Sequence, residues 1–220
     1  MTHRVTLLMH EFVTHDTRRF ITTRPPELDW RPGQSVELSM ETRRWRGHKR
    51  PFTVTSLQGD QALEFIIKRY PLEGVTQALH ALESGATLTL GEGFGRLRYR
   101  GPGVFIAAGA GITPFLAIFR DLEQRNELAG QSLLLSNKSE RDVICGEELR
   151  YLLGERCMFT FTRRHQPSHE GNRIDAAFLR GHIGDLDQCF YVCGPRGFVD
   201  SVGDSLVTLG VHPDRLVYEH

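Results

Sequence analysis

The hydrophobic pattern of this chain changes its period once, around a Gly101-Pro102-Gly103 link. Before the link, apolar and Thr-rich runs are short and separated by turn chemistry. Residues 3–14 and 17–24 read as strands ending at Pro25-Pro26. Asp29-Trp30-Arg31-Pro32-Gly33-Gln34 reads as a turn, and Ser35 to Met40 alternates polar with apolar. Thr53 to Ser56, Leu63 to Tyr70 and Ala86 to Leu90 add further strands. The pattern predicts a small antiparallel barrel over roughly residues 1–98. One helix is expected in it, from Gly74 to Ser84, where Val75, Leu79 and Leu82 recur at helical spacing.

After the link, strands alternate with helices. Val104 to Ala108, Ser132 to Ser136, Met158 to Thr162, Phe190 to Cys193 and the terminal Leu216-Val217-Tyr218-Glu219-His220 read as strands. Phe115 to Glu123, Glu147 to Leu153, Ile174 to Leu179 and Gly197 to Gly210 read as helices. That alternation implies right-handed crossovers and a parallel sheet. The expected organisation is therefore two domains, residues 1–100 and 101–220.

Composition narrows the function classes. The 220 residues carry 27 basic and 27 acidic side chains, a balance that argues against general nucleic-acid binding. No apolar run reaches membrane-spanning length, and Met1-Thr2-His3-Arg4 leads into a short strand rather than a signal-peptide core. Cys145, Cys157, Cys189 and Cys193 form no Cys-x2-Cys pair, and the close spacing of a plant-type iron–sulfur cluster is missing. The expectation is a cytoplasmic monomer with reduced thiols and no metal. His165-x3-His169 lies in a Pro- and Ser-containing loop without a third ligand nearby, so it is read as a loop rather than a metal pair.

Four segments carry candidate chemistry. In Arg50-Pro51-Phe52-Thr53-Val54-Thr55-Ser56, an arginine suits a phosphate, a ring suits a flat heterocycle, and a hydroxyl can bond a ring nitrogen. The same residues also make an ordinary strand start. Gly109-x-Gly111-x-x-Pro114 follows a buried strand and opens a helix. Its glycines let backbone approach a phosphate, and its free amides favour an anion. A structural turn would look alike, and the third position is not the glycine of the usual dehydrogenase fingerprint. Cys193-Gly194-Pro195 sits at a strand's carboxyl end, where open α/β sheets bind ligands, although a buried cysteine before a turn reads the same way. Glu219 brings a carboxylate to the last strand.

In order, RPFTVTS, GVT, GEGFG, GAGITP, CGP and a terminal YEH resemble the ferredoxin–NADP reductase superfamily over essentially the whole chain. The likeness is to compact flavodoxin and ferredoxin reductases without an attached iron–sulfur domain. It implies an amino-terminal six-stranded antiparallel β-barrel that binds FAD and a carboxyl-terminal α/β domain that binds NADPH or NADH. By the same resemblance, Arg50 pairs a flavin phosphate, Phe52 packs beside the flavin and Thr53 lies near its N5, with Pro51 in the same signature. Ile67 and Lys68 line the ring edge, and Gly74, Val75 and Thr76 hold the flavin pyrophosphate. Gly109, Gly111, Ile112, Thr113 and Pro114 form the dinucleotide turn, while Cys193, Gly194, Pro195 and Glu219 shape the nicotinamide site. Phe52 replaces a commoner tyrosine, and a clear terminal aromatic is missing.

Thr162-Arg163-Arg164 and Arg173 follow the Met158 strand without an acid, which favours NADPH over NADH. The basic run Arg43, Arg44, Arg46 and Lys49 is expected either to be solvated or to dock an acidic carrier such as a ferredoxin or flavodoxin. The acceptor implied is that carrier or an oxygenase component. A flavin-containing redox-sensing module and a free flavin reductase are the other roles the scaffold admits.

Overall fold

The computed structural model describes residues 1–71, 73–163 and 173–219. Six strands form the first sheet: β1 (His3–Thr14), β2 (Thr17–Thr23), β3 (Ser35–Met40), β4 (Arg50–Thr53), β5 (Ala62–Lys68) and β6 (Thr87–Phe94). All neighbours are antiparallel, in the order β4-β3-β6-β1-β2-β5. The sheet closes at a corner after β4. There the Val54 amide donates to Gln34 O (3.2 Å) and the Thr55 amide to Glu64 O (2.9 Å), while Ser56 Oγ accepts from the Glu64 amide (3.0 Å). Thus the strand expected from Thr53 to Ser56 is Arg50–Thr53 instead. All of Arg50–Thr53 pairs with β3, and the residues after it turn to reach β5. Inside, Phe20, Trp30, Leu38, Met40 and Phe65 fill the barrel, and Trp30 Nε1 donates to Ser56 O (3.2 Å).

Two boundaries differ from the sequence reading for tertiary reasons. The helix α1 is only Val75–His80, not Gly74 to Ser84. Beyond it the Gly85 amide bonds Leu7 O (2.7 Å) and Ala86 O accepts from Leu7 (2.9 Å), so pairing with β1 captures the chain. Strand β6 runs on through Gly91 and Gly93 to Phe94, past the expected end at Leu90. At Gly93 an added Cβ would lie 2.7 Å from Asp29 O, so only glycine lets the strand pass that loop.

The second sheet is parallel, with order β11-β10-β7-β8-β9. Its strands are β7 (Gly103–Ala108), β8 (Ser132–Asn137), β9 (Cys157–Phe161), β10 (Cys189–Cys193) and β11 (Leu216–Glu219). Helices α2 (Thr113–Gln124) and α3 (Gly146–Leu153) cover one face, and α4 (Ala176–His182) and α5 (Arg196–Thr208) the other. Alternation along β7 divides its side chains accordingly: Phe105 and Ala107 face α2, Val104 and Ile106 face α5. The order reverses between β7 and β10, which opens a crevice at their carboxyl ends. Helix α2 also touches the barrel, because Ile66 and Leu97 join its core cluster. The link is pinned as well: Tyr191 Oη donates to Gly101 O and accepts the Arg100 amide, both at 2.8 Å.

Buried His80 anchors the flank of β5, its Nε2–H donating to Ile67 O (2.8 Å). Burial, then the nearby Arg18 and Arg69 charges, outweigh that bond and push its pKa below the ordinary value. A ring held neutral in the fold takes up its proton on unfolding, so acid favours the unfolded chain. The conformational stability should therefore fall as pH drops below about 6.5, by at most about 1.4 kcal/mol per unit for this group. Urea unfolding of His80→Gln, which keeps a donor and removes the titration, should show a flatter midpoint between pH 7 and 5 than the parent.

Candidate functional site

One cavity of about 750 Å³ lies between the barrel and the parallel sheet. The barrel wall comes from Ser35, from Pro51, Phe52 and Thr53 on β4, from Ile66, Ile67 and Lys68 on β5, and from Tyr70 and Thr76. Facing it are Gly109, Gly111, Thr113 and Pro114 at the start of α2, and Cys193, Gly194 and Pro195 after β10. Ser136 and Asn137 at the end of β8, Lys138 after it, Asp142, Thr162 and Glu219 complete the far side.

The crevice turn is built from close backbone approach. Residues Gly109–Ile112 form one 3-10 turn, and Pro114 occupies the first turn of α2 where its missing amide costs nothing. A Cβ on Gly111 would lie 2.4 Å from Cys193 O, so the β7 and β10 loops touch only because that residue is glycine. Gly109, with φ of 53°, lines the cavity, and an added Cβ there would meet nothing within 4 Å. Thr113 Oγ1 donates to Ala110 O (3.0 Å) and lies 3.2 Å from Thr53 Oγ1, a direct hydroxyl contact between the two walls. Glu219 also reaches across, since a Cβ on Gly95 would lie 3.4 Å from its Oε1.

Charges in the cavity are arranged around Lys68 and Asp16. Lys68 Nζ pairs with Asp16 Oδ2 at 3.0 Å. Burial pushes the Asp16 carboxyl up, but Lys68 and the Thr14 and Thr17 hydroxyls outweigh it and hold the group below the usual carboxylate range. His15 Nε2 is 3.9 Å from Asp142 Oδ1, and Ser139 Oγ donates to Asp142. His15, Asp16 and Asp142 bring three potential ligand atoms together, but Asp16 already has the Lys68 ammonium as its partner. Burial and the Glu219 charge push the Cys193 thiol up to about 12, so it is protonated at neutral pH and contributes shape rather than a nucleophile.

Several expected residues fall outside the cavity lining. Arg50 is exposed and donates to Lys49 O (2.8 Å); Val75 and Ile112 are buried in core clusters. Gly74 lines a separate groove of about 370 Å³ with Arg44 and Trp45. Arg163 and Arg173 are exposed, although the Arg163 amide donates to Lys138 O (3.0 Å) beside the cavity. Arg164, His165, His169 and His220 lie outside the described residues. The basic run is not a bare cationic patch. Arg44 pairs with Glu73 (2.6 Å), Lys49 with Glu37 (3.0 Å) and Arg46 with Glu41 (3.8 Å), while Arg43 is exposed.

Sequence reasoning missed Tyr70, Asn137, Lys138 and Asp142. Asn137 is the most informative of these. It lines the cavity, and its buried Nδ2 has no hydrogen-bond partner among the described residues. A buried amide left open in this way fits a polar ligand group, such as a nucleotide oxygen. The signal available in sequence was its place at the carboxyl end of a predicted parallel strand. The cavity volume is within the usual range of roughly 300–1,000 Å³ for ligand sites. Phe52 and Tyr70, the Thr53 and Thr76 hydroxyls and the Lys68 cation suit a flavin on the barrel side.

Residues 4–99 match the oxidoreductase FAD-binding domain family, and residues 105–204 match the oxidoreductase NAD-binding domain family. The ferredoxin–NAD(P)+ reductase component of the naphthalene 1,2-dioxygenase system of Pseudomonas putida is 24% identical over 221 residues, covering 96% of this chain and 66% of that protein. NADH-cytochrome b5 reductase 1 of Homo sapiens is 29% identical over 260 residues, covering 96% of this chain and 81% of that protein. Among solved structures, a ferredoxin NADP+ reductase from Neisseria gonorrhoeae with bound FAD and NADP superposes with a TM-score of 0.83 at 21% identity, over 99% of this chain and 98% of that one. Two such domains in this order define an FAD- and nicotinamide-dependent oxidoreductase. The chain belongs to the ferredoxin–NADP reductase superfamily. It spans 66% of the first of these relatives and 22% of the NADPH nitrate reductase of Beauveria bassiana, which is 26% identical over 201 residues covering 76% of this chain.

The close contact at Gly111 gives a direct test of the crevice. Gly111→Ala must push the Cys193 carbonyl away, an overpacking cost of about 1–3 kcal/mol. The variant should bind nicotinamide nucleotide at least tenfold more weakly by calorimetry and still take up FAD, because the altered wall belongs to the nucleotide side.

Proposed function

We propose that this chain passes electrons from a reduced nicotinamide nucleotide, through bound FAD, to a separate protein that carries one electron at a time. The barrel domain, residues 1–100, seats the flavin, and residues 101–220 seat the nucleotide. One observation carries the reading: Thr53 on the flavin-side strand and Thr113 on the nucleotide turn meet at 3.2 Å in one cavity. Ligands held on those two walls are brought into contact with each other.

FAD, when bound, converts two-electron uptake into one-electron release. Each residue then has a positional or electrostatic task. The Thr53 hydroxyl supplies a hydrogen bond at the reactive edge of the ring. Phe52 and Tyr70 pack along the flat system, and the β5 backbone from Ile66 to Lys68 borders it, with the Lys68 ammonium fixed by Asp16. Arg50, Gly74, Val75 and Thr76 are assigned to the phosphate half of the flavin. Arg50 is exposed there, with Lys49 O as its partner. The amides of Gly109 and Gly111 face the nucleotide, and Asn137 offers its open amide there. Cys193, Gly194 and Glu219 form the wall beside the nicotinamide. Holding two flat rings in register supplies most of what such a reaction needs from protein.

Lys138, Arg163 and Arg173 place positive charge after β8 and β9, which favours the 2′-phosphate of NADPH. For the acceptor, the relatives named for ferredoxin and cytochrome b5 support a protein carrier. Arg43 and the paired bases around it are the docking surface assigned to an acidic ferredoxin or flavodoxin. Since three of those bases already have acidic partners, the steering contribution is expected to be modest.

Anaerobic addition of NADPH to the FAD-loaded chain should bleach the visible flavin band, with NADH slower. Flavin that neither nucleotide reduces would overturn the reading. Thr53→Val removes a hydrogen bond worth about 1 kcal/mol, so flavin reduction should slow by roughly fivefold to tenfold, and an unchanged rate would sink the role assigned to that hydroxyl. Arg163→Ala should raise KM for NADPH and leave KM for NADH in place; equal loss for both would remove the 2′-phosphate argument.

A further inference from the structure

Arg120 lies on α2, seven residues after Thr113 and therefore about two turns along the same face of the helix. It does not line the cavity, yet its guanidinium is engaged on every nitrogen. Nη1 donates to Thr55 O (2.9 Å) and Glu64 Oε1 (2.6 Å) of the barrel. Nε and Nη2 hold the Glu148 carboxylate of α3 in a bidentate pair (2.6 and 2.9 Å). Glu64 is fixed in turn by Arg19 Nε (3.0 Å) and Thr55 Oγ1 (2.7 Å). Burial lowers the Arg120 pKa, but the Glu148 bond and the Glu64 charge outweigh it and raise the value overall, so the cation persists at any working pH.

The clamp and the reaction centre share the same two chain segments. Thr53 and Thr55 are two residues apart on the barrel corner, and Thr113 and Arg120 contact them from one helix. Ion pairs taken out of water contribute little net stability, because desolvation offsets their attraction. Their geometric value is greater: a planar fork with fixed partners defines a distance and an angle. Hydride transfer between stacked rings needs the reacting atoms within about 3–3.5 Å, and a misplacement of about 1 Å costs roughly a hundredfold.

We propose that Arg120 is a positioning residue that sets how closely the nucleotide turn of α2 approaches the flavin-side strand, by tying that helix to Glu64 and Thr55 of the barrel and to Glu148 of α3. The inference rests on the assignment of flavin to the β4–β5 wall. A lysine, with one compact ammonium, cannot span both carboxylates and the Thr55 carbonyl with this geometry.

The test uses the FAD-loaded chain and its Arg120→Lys, Arg120→Met and Glu148→Gln variants. The limiting rate of anaerobic flavin reduction should fall about 10- to 100-fold in both Arg120 variants and less in Glu148→Gln. Nucleotide Kd by calorimetry should stay within about twofold, the split expected of a group that acts on approach rather than on binding. Amide hydrogen exchange at residues 53–56 and 109–114 should quicken in the same variants with and without FAD. Arg125→Gln, exposed just past the carboxyl end of α2, should change neither readout. A wild-type limiting rate with unaltered exchange overturns the proposal, as does a loss confined to nucleotide affinity. If the methionine variant does not fold, Arg120→Lys retains the charge and decides the matter. A parent protein that no nucleotide reduces would count against the proposed function instead, and the exchange measurement would still judge the clamp.

Discussion

The architecture depends on how α2 is buried from two sides. One side carries Phe115, Phe119 and Leu122 into the core beneath the parallel sheet, and the helix also meets Ile66 and Leu97 of the barrel. A helix buried on both sides cannot slide to suit one domain without disturbing the other. Its amino-terminal end therefore presents the Gly109–Thr113 turn at a defined place opposite β4. The polar bonds of Arg120 add direction to what hydrophobic burial supplies in bulk, since burial is roughly proportional to area and indifferent to angle.

Chemistry in the cavity is correspondingly positional. A buried, protonated Cys193, an Asp16 carboxylate matched to Lys68, and two threonine hydroxyls in contact do not make an acid–base machine. They make fixed polar points in and beside a mostly apolar cavity. Reactivity then resides in the bound cofactor, and the protein contributes register, hydrogen bonds and exclusion of water.

Much of this was legible in the residues. Strand periodicity located β3 with no displacement, and the strand-then-glycine patterns located both crevice loops. Where legibility failed, long-range pairing was responsible. The segment after Arg50 reads as one strand, but barrel closure splits it between β3 and β5. Val75, Leu79 and Leu82 predict a longer helix than α1, and pairing of Gly85 and Ala86 with Leu7 shortens it. The basic run looks like a patch, but Glu37, Glu41 and Glu73 arrive from other elements to pair with it.

By itself the sequence determined the two domains, their strand and helix content, and the short glycine loops that line the crevice, because periodicity, glycine placement and proline geometry act over a few residues. Only the tertiary structure decided which groups meet. Thr53 and Thr113 are 60 residues apart, and Arg120 reaches Glu64 across 56 and Glu148 across 28. Contacts of that kind are set by how helices and strands pack, and no local spacing specifies them. The Asn137 amide, without a partner among the described residues, belongs with them, because what surrounds it comes from distant parts of the chain.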